Sequence, residues 1–309
     1  MPKKIIFMGT PLFAVPILKS LYQNGYPISV VYTQPQQKSK REQKINKSPI
    51  QGISETLNID FRSPETLKDN DEEYKFIKEL NADLAIVVAY GQIIPEKFLN
   101  LTKKGFINIH ASILPKWRGA APIQRSIMNL DSETGISIMK IAKELDSGPT
   151  SNIYKIELKK TDNALDVSEK LSLLAAEKIC DDIDNIFEDK VKFINQDHSK
   201  ATYAKKIQKI EGLIDWNEDA SKIIGKINGL FPSPSAFFNF SGERHKILKA
   251  EIGNGAGNPG EVLSDKLEIA CGNNQSIKIL EIQRQGKRPQ KINEFMLGSQ
   301  IKKGFVLSN

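Results

Sequence analysis

Residues 3–33 read KKIIFMGTPLFAVPILKSLYQNGYPISVVYT, and the architecture follows from them. Lys3 to Met8 is a short apolar run behind two lysines, the pattern of a strand buried on both faces. Gly9-Thr10-Pro11 turns the chain, and Pro11 suits the first turn of a helix. Leu12, Val15, Leu18 and Leu21 recur at near-helical spacing. Gly25 closes that helix and Ile28 to Thr33 forms a second strand. Strand, turn, helix and strand in this order open an α/β fold, a Rossmann-like, doubly wound and mainly parallel sheet. The turn carries Gly9 alone and not G-x-G-x-x-G, which disfavours a nicotinamide-dependent dehydrogenase.

A chain of 309 residues suggests two domains or one large one. Hydrophobic residues make up 39%, enough for real cores and too many for a disordered chain. No segment approaches the ~18 apolar residues that span a bilayer. The apolar run near the start is too short for a signal peptide. Cys180 and Cys271 lack any metal-type spacing and read as buried thiols in a reducing cytoplasm. The net charge of +7 permits a polyanionic partner without demanding one.

Outward from the opening, Gln34 to Pro49 is polar and basic. Lys38, Lys40, Arg41, Lys44 and Lys47 stand there against one acid, Glu42. This is either a solvated surface loop or an arm that touches phosphates. Helices are predicted over 48–58 and 71–80. Leu84 to Ala89 is the most apolar strand, central in the sheet, and Tyr90-Gly91-Gln92-Ile93-Ile94-Pro95 follows at its carboxyl end, where ligands bind such sheets. Residues 106–125 then read FINIHASILPKWRGAAPIQR. Asn108 and His110 lie two apart on a strand, so an amide and an imidazole leave the same face. They form either a hydrogen-bonded polar pair at a strand edge or an electrophilic site. An imidazole moves protons near neutral pH, and an amide can donate to a developing oxyanion.

Strands are predicted at 135–141 and 153–158, with the turn Asp146-Ser147-Gly148-Pro149 between them. A long amphipathic helix is predicted over 163–187, with Leu165, Leu171, Leu174, Ile179, Ile183 and Ile186 on its apolar side. The pattern changes near residue 190. Val191 to Glu211 is basic and linker-like and includes Lys206. After a helix at 220–230, short strands at 236–240, 245–251, 260–264, 267–271, 276–283 and 305–307 predict a small, mostly β domain, an open barrel of the OB type. Lys287 and Arg288 sit in one of its loops. Such a domain either binds nucleic acid or is a plain packing domain.

These residues together resemble the folate-dependent formyltransferases over nearly the whole chain, and within them the branch whose acceptor is initiator methionyl-tRNA. The carriers are Met8-Gly9-Thr10-Pro11, Thr33-Gln34-Pro35, Val88-Ala89-Tyr90-Gly91, Asn108 to Pro115, Trp117 to Gln124, Leu145-Asp146-Ser147-Gly148, Ile214-Asp215-Trp216 and Gln285-Gly286-Lys287. The resemblance implies a catalytic trio at Asn108, His110 and Asp146. It implies that 10-formyltetrahydrofolate, a reduced folate, sits near Ser112, Ile113, Leu114 and Pro115 and against Tyr90, Gly91 and Gln92. It implies tRNA contacts at Lys38, Lys40, Arg41, Lys44, Lys206, Lys287 and Arg288. The loop after Thr33-Gln34-Pro35, usually rich in glycine and arginine in this family, has no glycine here. The implied layout is a catalytic domain at 1–189, a linker at 190–208 and a tRNA-binding β domain at 209–309.

The expected reaction moves a formyl group from N10 of the folate to the α-amine of methionine on initiator tRNA, for translation initiation. It needs no metal and no covalent enzyme intermediate. A cytoplasmic monomer without membrane attachment is expected. Two alternatives stand beside it: formyl transfer to a small amine such as a purine precursor or an amino sugar, and a binding protein with no chemistry. The polar Asn108 and His110 face argues against the second.

Overall fold

The opening apolar run forms β1 (Ile5–Gly9), with every residue buried. The computed structural model describes residues 3–38 and 45–307. Strands β2 (Ile28–Tyr32), β3 (Phe61–Arg62), β4 (Leu84–Val88), β5 (Phe106–His110), β6 (Glu133–Lys140) and β7 (Thr150–Glu157) join β1 in a seven-stranded sheet. Their order is β7-β6-β5-β4-β1-β2-β3. All pairs from β3 through to β5 are parallel, and β6 runs antiparallel to β5. The strand order reverses between β1 and β4, so their carboxyl ends bound the crevice where such sheets receive ligands.

Thr10 ties that crevice together. Its hydroxyl donates to the Tyr90 carbonyl at 2.8 Å and accepts from the Gln34 amide at 3.2 Å, which links the chain beyond β1, β4 and β2. Gly9 is required at the turn, because a Cβ there would stand 2.9 Å from the Ala14 Cβ and 2.9 Å from the Phe7 ring.

Helices α1 (Val15–Gln23), α2 (Pro49–Thr56), α3 (Asp71–Leu80), α4 (Glu96–Leu99), α5 (Pro122–Met128) and α6 (Ala164–Phe187) accompany the strands. Local chemistry sets where α2 and α3 begin. Ser48 caps the Gln51 amide and Asn70 caps the Glu73 amide, and the first turn of α3 holds Asp71, Glu72 and Glu73, which suits the positive end of a helix. On α6, Ala164, Val167, Leu171, Ala175, Ile179, Ile183 and Ile186 are buried at helical spacing, whereas Leu165, expected on the apolar side, is exposed because it falls one residue off that stripe. Ser172 and the Ala176 and Cys180 carbonyls of α6 bond to Phe13, Ser20 and Tyr26 in the opening β1-α1-β2 segment.

Packing divides the chain into two units. The first holds residues up to Gly119, Gly135–Ile156 and Ser168–Tyr203. The second holds Ala120–Thr134, Glu157–Val167 and the chain from Ala204 onward.

In the second unit, β8 (Ala236–Phe240), β9 (Glu243–Ile252), β10 (Glu268–Cys271), β11 (Gln275–Arg284) and β12 (Gln290–Lys291) form an antiparallel sheet in the order β8-β9-β11-β10, with β12 also on β11. Single bridges from Leu213 to Phe237 and from Val262 to Ile269 cover its edges. Its apolar face packs on α7 (Ala220–Leu230) and α8 (Ile292–Met296) through Trp216, Ile223, Ile227, Phe238, Ile279 and Phe295. Gly225 and Gly229 let α7 approach α5 closely. A Cβ at Gly229 would lie 2.6 Å from the Met128 Cγ and 2.9 Å from the Gln124 carbonyl oxygen.

Candidate active site

The site grows from β5. Asn108 pairs with Met139 and His110 with Ser137 across the antiparallel ladder to β6. The strand pleat therefore sends both polar side chains to one face, as their spacing demands. His110 is buried, and one ring nitrogen, Nε2, lies 2.9 Å from the Trp117 carbonyl oxygen. A carbonyl can only accept, so Nε2 carries the proton. The other nitrogen, Nδ1, faces Asp146 Oδ2 at 3.6 Å, longer than a hydrogen bond.

Asp146 arrives from the loop after β6. Its backbone sits in the left-handed region, at φ 49°, which costs a non-glycine residue on the order of 1–3 kcal/mol. Several contacts hold it there. The Gly119 amide donates to Oδ2 at 2.8 Å and Asn108 Nδ2 donates to Oδ1 at 3.4 Å. Gly148 lets the loop close, because a Cβ there would collide with the Lys140 carbonyl oxygen. Asn108, His110 and Asp146, chosen from sequence, thus converge at the carboxyl end of β5.

Three residues that sequence reasoning missed support them. Gln196 is buried, and its amide donates to the Asp146 carbonyl at 2.9 Å and the Gly148 carbonyl at 2.7 Å. Its own oxygen accepts from Arg118 Nε at 3.0 Å and Nη2 at 2.7 Å. Arg118 is buried as well, and its Nη1 meets His198 Nδ1 at 3.3 Å. Gln196 and His198 lie in a polar stretch with no periodicity, so the sequence carried no signal for them.

The residues expected around a folate divide by exposure. Ser112 and Leu114 are buried. The Ser112 hydroxyl donates to the Lys116 carbonyl, and Ser137 bridges the Ser112 carbonyl and the Leu114 amide. Ile113 packs within reach of Gly135, and Pro115 follows a cis peptide bond. This segment is fastened to the sheet. Tyr90 is buried too, and burial pushes its hydroxyl above its ordinary range. The chain at Ala89 and Gly91 is exposed with positive φ, so it offers backbone to a ligand. Gln92 donates to the Pro64 carbonyl at 2.8 Å, and its Oε1 is buried without a partner among the described residues.

A largely polar cavity of about 840 Å³ opens at the other, amino end of β5, lined among others by Glu96, Thr102, Lys103, Phe106, Ala142 and Lys143. Phe106 begins the strand of Asn108 and His110, and Ile141 to Lys143 lead toward Asp146. Neither the 90–92 nor the 112–115 segment lines it.

Of the residues expected to meet tRNA, Lys40, Arg41 and Lys44 lie outside the described residues. Lys38 ends a two-residue strand, Gln37–Lys38, paired antiparallel with Ile45–Asn46. Lys206, Lys287 and Arg288 are exposed in the second unit. Among the described residues, no group of three or more His, Cys, Asp or Glu side chains could hold a metal ion, and no helix is long and apolar enough to cross a membrane.

An amide, an imidazole and a carboxylate gathered at one strand end of a parallel sheet are the equipment of a group-transfer enzyme. The chain belongs to the formyl transferase family: its residues 3–183 match the formyl transferase model and residues 206–300 the C-terminal domain of formyl transferases. It is 67% identical over 309 residues to a methionyl-tRNA formyltransferase of Pelagibacter ubique, covering 100% of both chains. It is 41% identical over 308 residues to one of Caldanaerobacter subterraneus, covering 98% of this chain and 99% of that one. Among solved structures it shares the fold of a sugar 3N-formyl transferase, WlaRD, with TM-score 0.69, 19% identity, and 93% of this chain and 100% of that one covered.

Proposed function

We propose that this chain transfers the formyl group of 10-formyltetrahydrofolate to the α-amine of methionine on initiator methionyl-tRNA. The convergence of Asn108, His110 and Asp146 carries the chemistry, and the full-length identity to relatives of that name selects the acceptor. The α-amine adds to the formyl carbon, the formyl oxygen gains negative charge, and the bond from carbon to N10 breaks. Asn108 has a second amide N–H beyond its long bond to Asp146, and that donor stabilises the oxyanion. His110 Nε2 is committed to Trp117, so proton traffic runs through Nδ1, on the side of Asp146. Asp146 orients the ring and stabilises its charged form while the amine loses a proton and N10 gains one.

The exposed backbone at Ala89 and Gly91, at the same end of the sheet as the trio, suits the donor, with the 112–115 segment as its second support. Gly91→Val, which sets a branched side chain on that backbone, is expected to weaken binding of 5-formyltetrahydrofolate, a stable donor analogue, at least about tenfold, roughly 1.4 kcal/mol. Unchanged affinity would place the donor elsewhere on the chain. We further propose a catalytic domain at 1–189 joined through 190–208 to a tRNA-binding domain at 209–309, acting as a monomer in the cytoplasm.

The deciding assay is transfer of labelled formyl from 10-formyltetrahydrofolate to methionyl-tRNA, with free methionine and uncharged tRNA as controls. Incorporation only into charged initiator tRNA supports the proposal. Label passing instead to amino sugars or purine precursors would replace the acceptor and keep the chemistry.

A further inference from the structure

We propose that Gln196 is a positioning residue that sets the placement of Asp146; its effect on turnover rests on the transfer reaction above, but its effect on the loop does not. The primary amide of Gln196 has two N–H donors, and each meets a different carbonyl of one short loop, those of Asp146 and Gly148. One side chain thus spans the residue whose carboxylate faces His110 and the glycine that lets the loop pass Lys140. The amide oxygen is fixed in turn by two donors of the buried Arg118. The backbone amide of the next residue, Gly119, donates to the Asp146 carboxylate itself. Arg118-Gly119 therefore grips Asp146 at both ends, directly at the carboxylate and through Gln196 at the main chain.

The geometry explains why a grip is needed. Asp146 holds a left-handed backbone conformation, which residues other than glycine adopt uncommonly. Its carboxylate stands 3.6 Å from His110 Nδ1, where a shift of about 1 Å can cost about 10²-fold in rate. A glutamine suits this place because it accepts from a guanidinium and donates to carbonyls at once. Glutamate retains the first ability and lacks the second.

Gln196→Glu is the informative variant, since it keeps an acceptor for Arg118 and so leaves no buried cation unpaired. Its expected phenotype is a fall in kcat of about 10–10²-fold with KM for both substrates within about twofold. Hydrogen exchange at the backbone amides of Ser147 and Gly148 should also speed up relative to the rest of the sheet. Gln196→Met, which removes both abilities, should give the same exchange change in whatever folded fraction it forms. Wild-type kcat together with wild-type exchange in Gln196→Glu would overturn the proposal. So would a variant whose KM and melting temperature change while kcat holds, because that is the mark of a purely structural residue. If the unmodified chain shows no formyl transfer, the function reading fails while the exchange comparison still tests the grip.

Discussion

His110 is confined by its neighbours more than by its own chemistry. The Trp117 carbonyl claims the proton on Nε2, and Asp146 waits across a gap at Nδ1. A side chain in that place can accept and return a proton without turning its ring. His110→Ala is expected to lower kcat by about 10²–10⁴-fold, with a far-ultraviolet spectrum and a melting temperature close to those of the parent. Asn108→Ala, which removes the proposed donor to the oxyanion, should cost roughly 10²–10³-fold. Near-parental turnover in His110→Ala would refute the scheme. These residues were legible because a strand puts alternate side chains on one face, and Asn108 with His110 broke an otherwise apolar pattern. Gln196 was not legible. Its partners are main-chain carbonyls about fifty residues earlier, and no spacing in the chain announces such a contact.

At the scale of elements, the sequence was clearest where local chemistry sets the boundary. Helix α3 begins after the Asn70 cap and ends at Leu80, as predicted, and α7 spans 220–230 as predicted. The β1-α1-β2 opening placed the sheet correctly because the glycine turn and the apolar spacing agree. The stretch after Gly119 was less transparent. Its helix was expected, but its association with residues from Ala204 onward was not, because that depends on an absent side chain on another helix. Gly225 and Gly229 of α7 read in sequence only as weak helix formers, yet they are where α5 fits. Gly229→Ala should test this. Alanine gains roughly 0.5–1 kcal/mol over glycine in a helix, while forcing a methyl into a packed contact costs about 1–3 kcal/mol. The Gln124 carbonyl is backbone and cannot rotate away, so the expected net result is a loss of about 1–2 kcal/mol. Urea unfolding followed by Trp216 in a Trp117→Phe background would report on the second unit. A midpoint equal to or above the parent's would show that the helices have room to part.

At the scale of the molecule, charge is the property that no single element reveals. A net charge of +7 is modest, and many of the lysines in the first unit are answered by acids, as Lys103 is by Asp83 and Lys104 by Asp189. In the second unit, Lys287 and Arg288 are exposed beyond the end of β11, and no ion pair engages them among the described residues. If they meet the tRNA backbone, each neutralised phosphate releases counterions and the logarithm of the binding constant falls linearly with the logarithm of salt concentration. Replacing both by alanine should then flatten that slope by about 0.7–0.9 for each phosphate no longer neutralised. It should also weaken binding of charged and uncharged tRNA alike, since a side chain on a phosphate does not read the amino acid. The kcat at saturating tRNA should hold, because neither residue belongs to the trio. A binding titration across salt concentrations makes the measurement. An unchanged slope would make this loop a solvated surface and place the tRNA elsewhere on the chain. A lower kcat with an unchanged slope would instead mean that the second unit acts on the reaction by a route other than holding phosphates.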